Sequence, residues 1–120
     1  MRVEMKLKRI YDKPEHDDGI RILIDRLWPR GLSKEEAKLY YWLKDIAPSN
    51  NLRKWFNHDP SKFAEFSKMY KAELQTGEQL KAFKELKEII SKNNDQCITL
   101  LFAAKDIDNN NAQVIMQLIQ

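Results

Sequence analysis

The sequence predicts one small α/β domain, with helices packed on a small, largely parallel sheet of about three or more strands. Three observations predict it. Two strand-like segments open the chain, helix-period patterns with capping signals fill its middle, and a late apolar run is followed by a last helix. That run, Cys97 to Ala103, is nearly continuous, as strands covered on both faces of a parallel sheet are. The chain has 120 residues, the size of one ordinary domain, so residues 1–120 are read as a single unit without repeat or linker.

Each element has its own local reason. Val3, Met5 and Leu7 alternate with Glu4, Lys6 and Lys8, the period of a half-buried strand. Residues 11–19 are turn-rich, and Ile20 to Ile24 form a second strand with Ile20, Ile22 and Ile24 on one face. Ser33-Lys34-Glu35-Glu36 matches a capping box and predicts a short helix to about Tyr41. Leu52, Trp55 and Phe56 predict a brief helical turn. Asp59-Pro60 is a helix entry, with Phe63, Phe66, Tyr70 and Leu74 at helical spacing behind it. Thr76-Gly77-Glu78-Gln79 reads as another capping box, before a helix carrying Leu80, Phe83, Leu86 and Ile90 and ended by Asn93-Asn94. Asp108 is the expected cap of a last helix bearing Ala112, Ile115 and Ile119. A right-handed crossover from the second strand to the late one would contain the central helices.

Composition narrows the function. Hydrophobic residues make up 42% of the chain, which supports a core. The formal net charge is +3, from 21 basic and 18 acidic side chains, too small an excess to mark a dedicated nucleic-acid binder. The single cysteine, Cys97, excludes an internal disulfide and reads as a small buried hydrophobe. With two histidines there is no zinc-ligand spacing, and no metal or cofactor is expected. His16 lies among Glu15, Asp17 and Asp18, a spacing read as a solvated loop. No glycine-rich phosphate loop, G-x-S-x-G elbow or H-E-x-x-H is present. No apolar run approaches a membrane span and no signal peptide opens the chain, so a cytoplasmic protein is expected.

The chemistry concentrates in Asp25-Arg26-Leu27-Trp28-Pro29-Arg30-Gly31, where the second strand hands over to a loop. If the second and late strands are parallel, their C-terminal ends share one sheet edge, where open α/β sheets bind ligands. Asp25-Arg26 and Lys105-Asp106 would then converge. Arg26 and Arg30 offer planar forks of donors to a phosphate or carboxylate, and Lys105 adds a point charge. Asp25 and Asp106 are the candidate catalytic acids or bases, or else orient the cations. Trp28, its backbone restricted by Pro29, is a candidate stacking platform, and Gly31 permits a turn. His58 beside Asp59 is a proton-transfer candidate, but Asp59 already has a capping role.

These segments resemble the YeaO-like branch of domain-of-unknown-function family 488, small bacterial and archaeal proteins. The likeness spans nearly the whole chain. Ile10 to Asp12, Asp17 to Ser33, Trp42 to Ser49, Leu52 to Pro60 and Leu100 to Asp106 carry it. The resemblance implies a compact α/β fold and no established activity. The family pattern has a histidine near position 109, and more distant relatives place Cys and His there, whereas this chain has Asp108-Asn109-Asn110-Asn111. A histidine or cysteine mechanism at that spot is therefore disfavoured. Anion binding survives the change, because asparagine still donates.

Three readings follow. The first is an anion-binding pocket, for a phosphate or nucleotide-like ligand, at the C-terminal strand edge, with enzyme status open. The second is a nucleic-acid-binding or regulatory module using Lys6, Lys8, Arg9, Arg53, Lys54, Lys62 and Lys68 as a contiguous basic face. The third is an interaction module without catalysis, built on Trp28, Trp42 and Trp55, which extensive burial of those side chains would disfavour. Neither a membrane role nor an oligomeric state is predicted.

Overall fold

The computed structural model describes residues 4–119. Val3, placed in the first strand by its alternation, lies outside the described residues. Four strands form one wholly parallel sheet: β1 (Met5–Arg9), β2 (Ile20–Leu23), β3 (Tyr41–Trp42) and β4 (Ile98–Phe102), in spatial order β1-β4-β2-β3. The helices are α1 (Lys34–Ala37), α2 (Asn50–Phe56), α3 (Phe63–Glu73), α4 (Gly77–Lys92) and α5 (Asn111–Ile119). The expected α/β architecture is therefore present, with β4 central, paired on both sides and fully buried, as its unbroken apolar run requires.

The two faces of the sheet have separate cores. Ile20, Ile22 and Ile24 of β2 and its extension join Ile98, Leu100 and Phe102 of β4 on one face. Against them pack Leu52 and Phe56 of α2, Phe66 and Tyr70 of α3, Phe83 and Leu86 of α4, and Ala112 and Ile115 of α5. Phe56 and Phe66 stack with ring centroids 4.2 Å apart. The other face is thinner: Leu23 and Leu101 meet Ile10 and Ala37, flanked by Trp28 and Leu32. Arg21 also lies on this face, buried, with its Nη1 2.6 Å from Asp18 and its Nε and Nη2 donating to the Ala37 carbonyl.

Four local expectations are corrected. The helix begun at Ser33 stops at Ala37, not Tyr41. Ser33 caps it as expected, but Lys38 turns left-handed (φ 48°), and Arg21 takes the Ala37 carbonyl. The freed segment pairs with β2 as the unpredicted edge strand β3. Thr76 forms no side-chain cap, because the chain enters α4 through Gly77 at φ 62°, and Gln79 turns toward the Ala47 carbonyl. The first turn of α5 is capped by Asn110, which accepts from the Gln113 N–H, and not by Asp108. Cys97 likewise departs from expectation: it is half-buried just before β4, at the sheet edge where the strands begin.

Candidate functional site

A cleft of about 680 Å³ opens at the C-terminal edge of β2 and β4. Parallel pairing of these strands brings Asp25-Arg26 and Ala103 to Asp106 to its walls from segments far apart in the chain. Trp28, Pro29, Ala47, Pro48, Phe56 and Phe66 supply apolar lining. Asn109, Asn110 and Asn111 bring the start of α5 to the same rim.

Asp25 ties the two strand ends together. Its Oδ2 accepts the Ala103 N–H at 2.8 Å, and its Oδ1 faces the Asn111 amide at 3.3 Å. Burial pushes its carboxyl above the ordinary 3.8, against the Ala103 and Asn111 donors and the nearby His58. Asp106 behaves oppositely. The Asn109 amide and the N–H groups of Asp108 and Asn109 hold its carboxyl below the ordinary value. Asp106 thereby shapes the loop into α5, while its backbone carbonyl accepts from Asn110.

Arg26 does not pair with Asp25. Its Nη2 donates to the Ala47 carbonyl at 3.1 Å, and its Nη1 lies 3.8 Å from Asp45. Its buried Nε has no partner among the described residues. Lys105 lines the cleft and is exposed. Trp28 lines it too, half-buried, with its Nε1 donating to the Leu32 carbonyl and its ring edge-on to Trp42 at 5.4 Å. Trp42 in turn donates to the Asp25 carbonyl. Arg30 stands apart. It is exposed and does not line the cleft, and its carbonyl accepts from Tyr11.

Two ionisable lining residues, Arg53 and His58, are not placed in the pocket by the sequence. The sequence reads Arg53 as part of a basic face and His58 as a partner of its neighbour Asp59. Both reach the cleft from α2 and the turn after it. Asp59 is occupied by Ser61, as its capping signal predicted. The positive φ angles of Asn57 (47°) and His58 (56°) redirect this turn, and sequence periodicity carries no signal for them. Leu52 to Pro60, among the segments that carry the family resemblance, was the available pointer.

The basic residues of the nucleic-acid reading are largely held by internal partners. Lys6 pairs with Asp17, Lys8 with Glu15 and Asp18, and Lys62 stacks over Trp55. Arg9 donates to the Ala103 and Ala104 carbonyls. Lys8 also accounts for the acidic group Glu15, Asp17 and Asp18, placing a cation among them already. Trp42 and Trp55 are partly exposed. Among the described residues no helix is long and apolar enough to cross a membrane.

A family model described as the inactive DUF488-N3 subclade matches residues 4–120. An uncharacterised protein of Escherichia coli, YeaO, is 43% identical over 113 residues, covering 94% of each chain. An uncharacterised protein of Mycobacterium tuberculosis is 34% identical over 115 residues, covering 96% of this chain and 92% of its own. No solved structure matches the chain. By a family model spanning nearly all of the chain, and by relatives matched along almost their whole length, this protein belongs to the DUF488 family, in the subclade described as inactive DUF488-N3.

Proposed function

We propose that the cleft binds a small anionic ligand, phosphate-bearing or nucleotide-like, and that the protein acts by binding rather than turnover. The observation that carries this reading is the convergence of Arg26, Arg53 and Lys105, from three separate segments, on one apolar-lined cleft. Its size suits a small organic ligand. The asparagines at the start of α5 add amide donors. Trp28 and Phe56 offer apolar surface to a planar body. Asp25 orients the walls, and its oxygens are already engaged by Ala103 and Asn111, which leaves it poorly placed as a base. No cysteine, serine or threonine is among the cleft's lining residues, in keeping with a subclade described as inactive. The setting we propose is the cytoplasm, where a free thiol such as Cys97 stays reduced.

The test is thermal stabilisation by AMP and by inorganic phosphate. Both are expected to stabilise the wild type. Arg53→Ala and Arg26→Ala should each weaken binding about tenfold or more, the effect of losing a charged hydrogen bond of roughly 1.5–3 kcal/mol. Arg30→Ala should bind as the wild type does. A wild type unmoved by either compound, or an Arg53→Ala variant that responds undiminished, would overturn the reading.

A further inference from the structure

We infer that His58 is a ligand-contacting cation of the cleft, held there by a left-handed turn, and that its protonation tunes affinity for a phosphomonoester. This rests on the anion-binding reading above and adds the residue that selects a doubly charged ligand. Asn57 and His58 are consecutive non-glycine residues at positive φ, 47° and 56°. Such backbone is costly for residues bearing a Cβ, and it persists where the surroundings impose it, often at functional sites. Asn57 closes α2 by donating to the Arg53 carbonyl, and Asp59 donates back to the Phe56 carbonyl. The turn thus leaves the imidazole exposed, on the cleft lining, with its ring centroid 6.4 Å from that of Phe56.

The charges facing His58 come from every wall. Asp25 follows β2 and Asp106 follows β4, and both line the cleft with His58. Arg26, Arg53 and Lys105 complete the charged lining. Neighbouring Asp59 is held by Ser61. Three side-chain cations against two carboxylates leave a slight positive excess. A protonated His58 doubles it, which matches a terminal phosphate dianion better than a single charge. Imidazole is the side chain whose charge ordinarily changes between pH 5 and 8. Once the phosphate is fully dianionic, affinity should therefore fall as pH rises further.

The experiment uses the intact protein and AMP. The chain has two histidines, and His16 lies in the loop before β2, at the opposite sheet edge, so it is an internal control. In a titration followed by histidine ring NMR, the His58 resonances should shift saturably and those of His16 should stay. Between pH 7 and 8.5 the phosphate stays dianionic, so the expected fall in wild-type affinity, about twofold or more, comes from the protein and not from the ligand. His58→Asn, with a neutral side chain that tolerates the left-handed backbone, should bind more weakly at pH 7 and show no such fall. If AMP binds while the His58 resonances stay still, or the variant keeps the wild-type pH slope, the inference is overturned and the anion-binding cleft stands. If AMP and phosphate both fail to bind the wild type, the two readings fall together. The ring titration decides the matter even if the variant does not fold.

Discussion

At the scale of single residues, the half-buried Asp25 and the buried Asp18 respond to the fold in opposite directions. Asp25 sits where burial outweighs its two donors, so the folded chain holds its proton more tightly than the unfolded chain does. Stability therefore falls as pH rises from about the ordinary 3.8 through the raised folded value. Relative to Asp25→Asn, the wild type should lose stability in urea melts as pH rises above about the ordinary 3.8. A difference that grows in the wild type's favour over that range would refute the sign. Asp18 is buried, but the Glu15 N–H, Lys8 and Arg21 outweigh the burial penalty and hold its carboxyl below 3.8. Its contribution is present at neutral pH and disappears as pH drops below the ordinary value. Asp18→Ala strands the Arg21 guanidinium under the sheet, so a loss of about 3–5 kcal/mol is expected at pH 7. A loss below about 1 kcal/mol would mean that Arg21 finds another partner.

At the scale of elements, capping and backbone chemistry decide where segments begin and end. Gly19 enters β2 at φ 67°, and a Cβ there would lie 2.1 Å from the Cys97 carbonyl oxygen, beside the bond that starts β2–β4 pairing. Gly19→Ala should cost about 3 kcal/mol or more, from a left-handed side chain and a backbone clash together. Chemical denaturation measures it, and an unchanged midpoint would show that the strand entry yields. Ser33 and Asp59 were legible because a cap is written in neighbouring residues. The edge strand β3 was not. Its two residues are too few for a period, and its pairing with β2 depends on Arg21 having closed α1. Thr76 misled for a related reason: its capping pattern is correct, but Gly77 takes a backbone path that the pattern does not encode.

At the scale of the whole molecule, the cleft is a product of strand order. Placing β4 between β1 and β2 sets the Asp25 and Lys105 segments side by side, and the α2–α3 layer closes the cleft with Phe56, Phe66 and Arg53. A ligand bound there should stabilise the whole fold by mass action, about 2.7 kcal/mol at a hundredfold excess over Kd. For a domain of this size that corresponds to a rise of roughly 10 °C in Tm. AMP is expected to produce such a shift at saturation, and a ceiling below about 2 °C would point to a much weaker site.

By itself the sequence determined the α/β class, the three longer helices α3, α4 and α5, the buried central strand and the charged loop after β2. Each of these is local: a period, a cap or an apolar run is set by neighbours in the chain. It also made the meeting of Asp25-Arg26 with Lys105-Asp106 an arguable consequence of parallel pairing. Only the tertiary structure decided which charges share the cleft. It turned Arg30 outward, directed Arg26 to Ala47 and Asp45, and brought Arg53 and His58 in from a helix and turn that no pattern links to the sheet edge. The reason is physical: side-chain direction at a loop is set by left-handed turns and by whichever carbonyls and carboxylates lie nearby after packing. Those neighbours are assembled by the sheet and its helices, and are not adjacent in the chain.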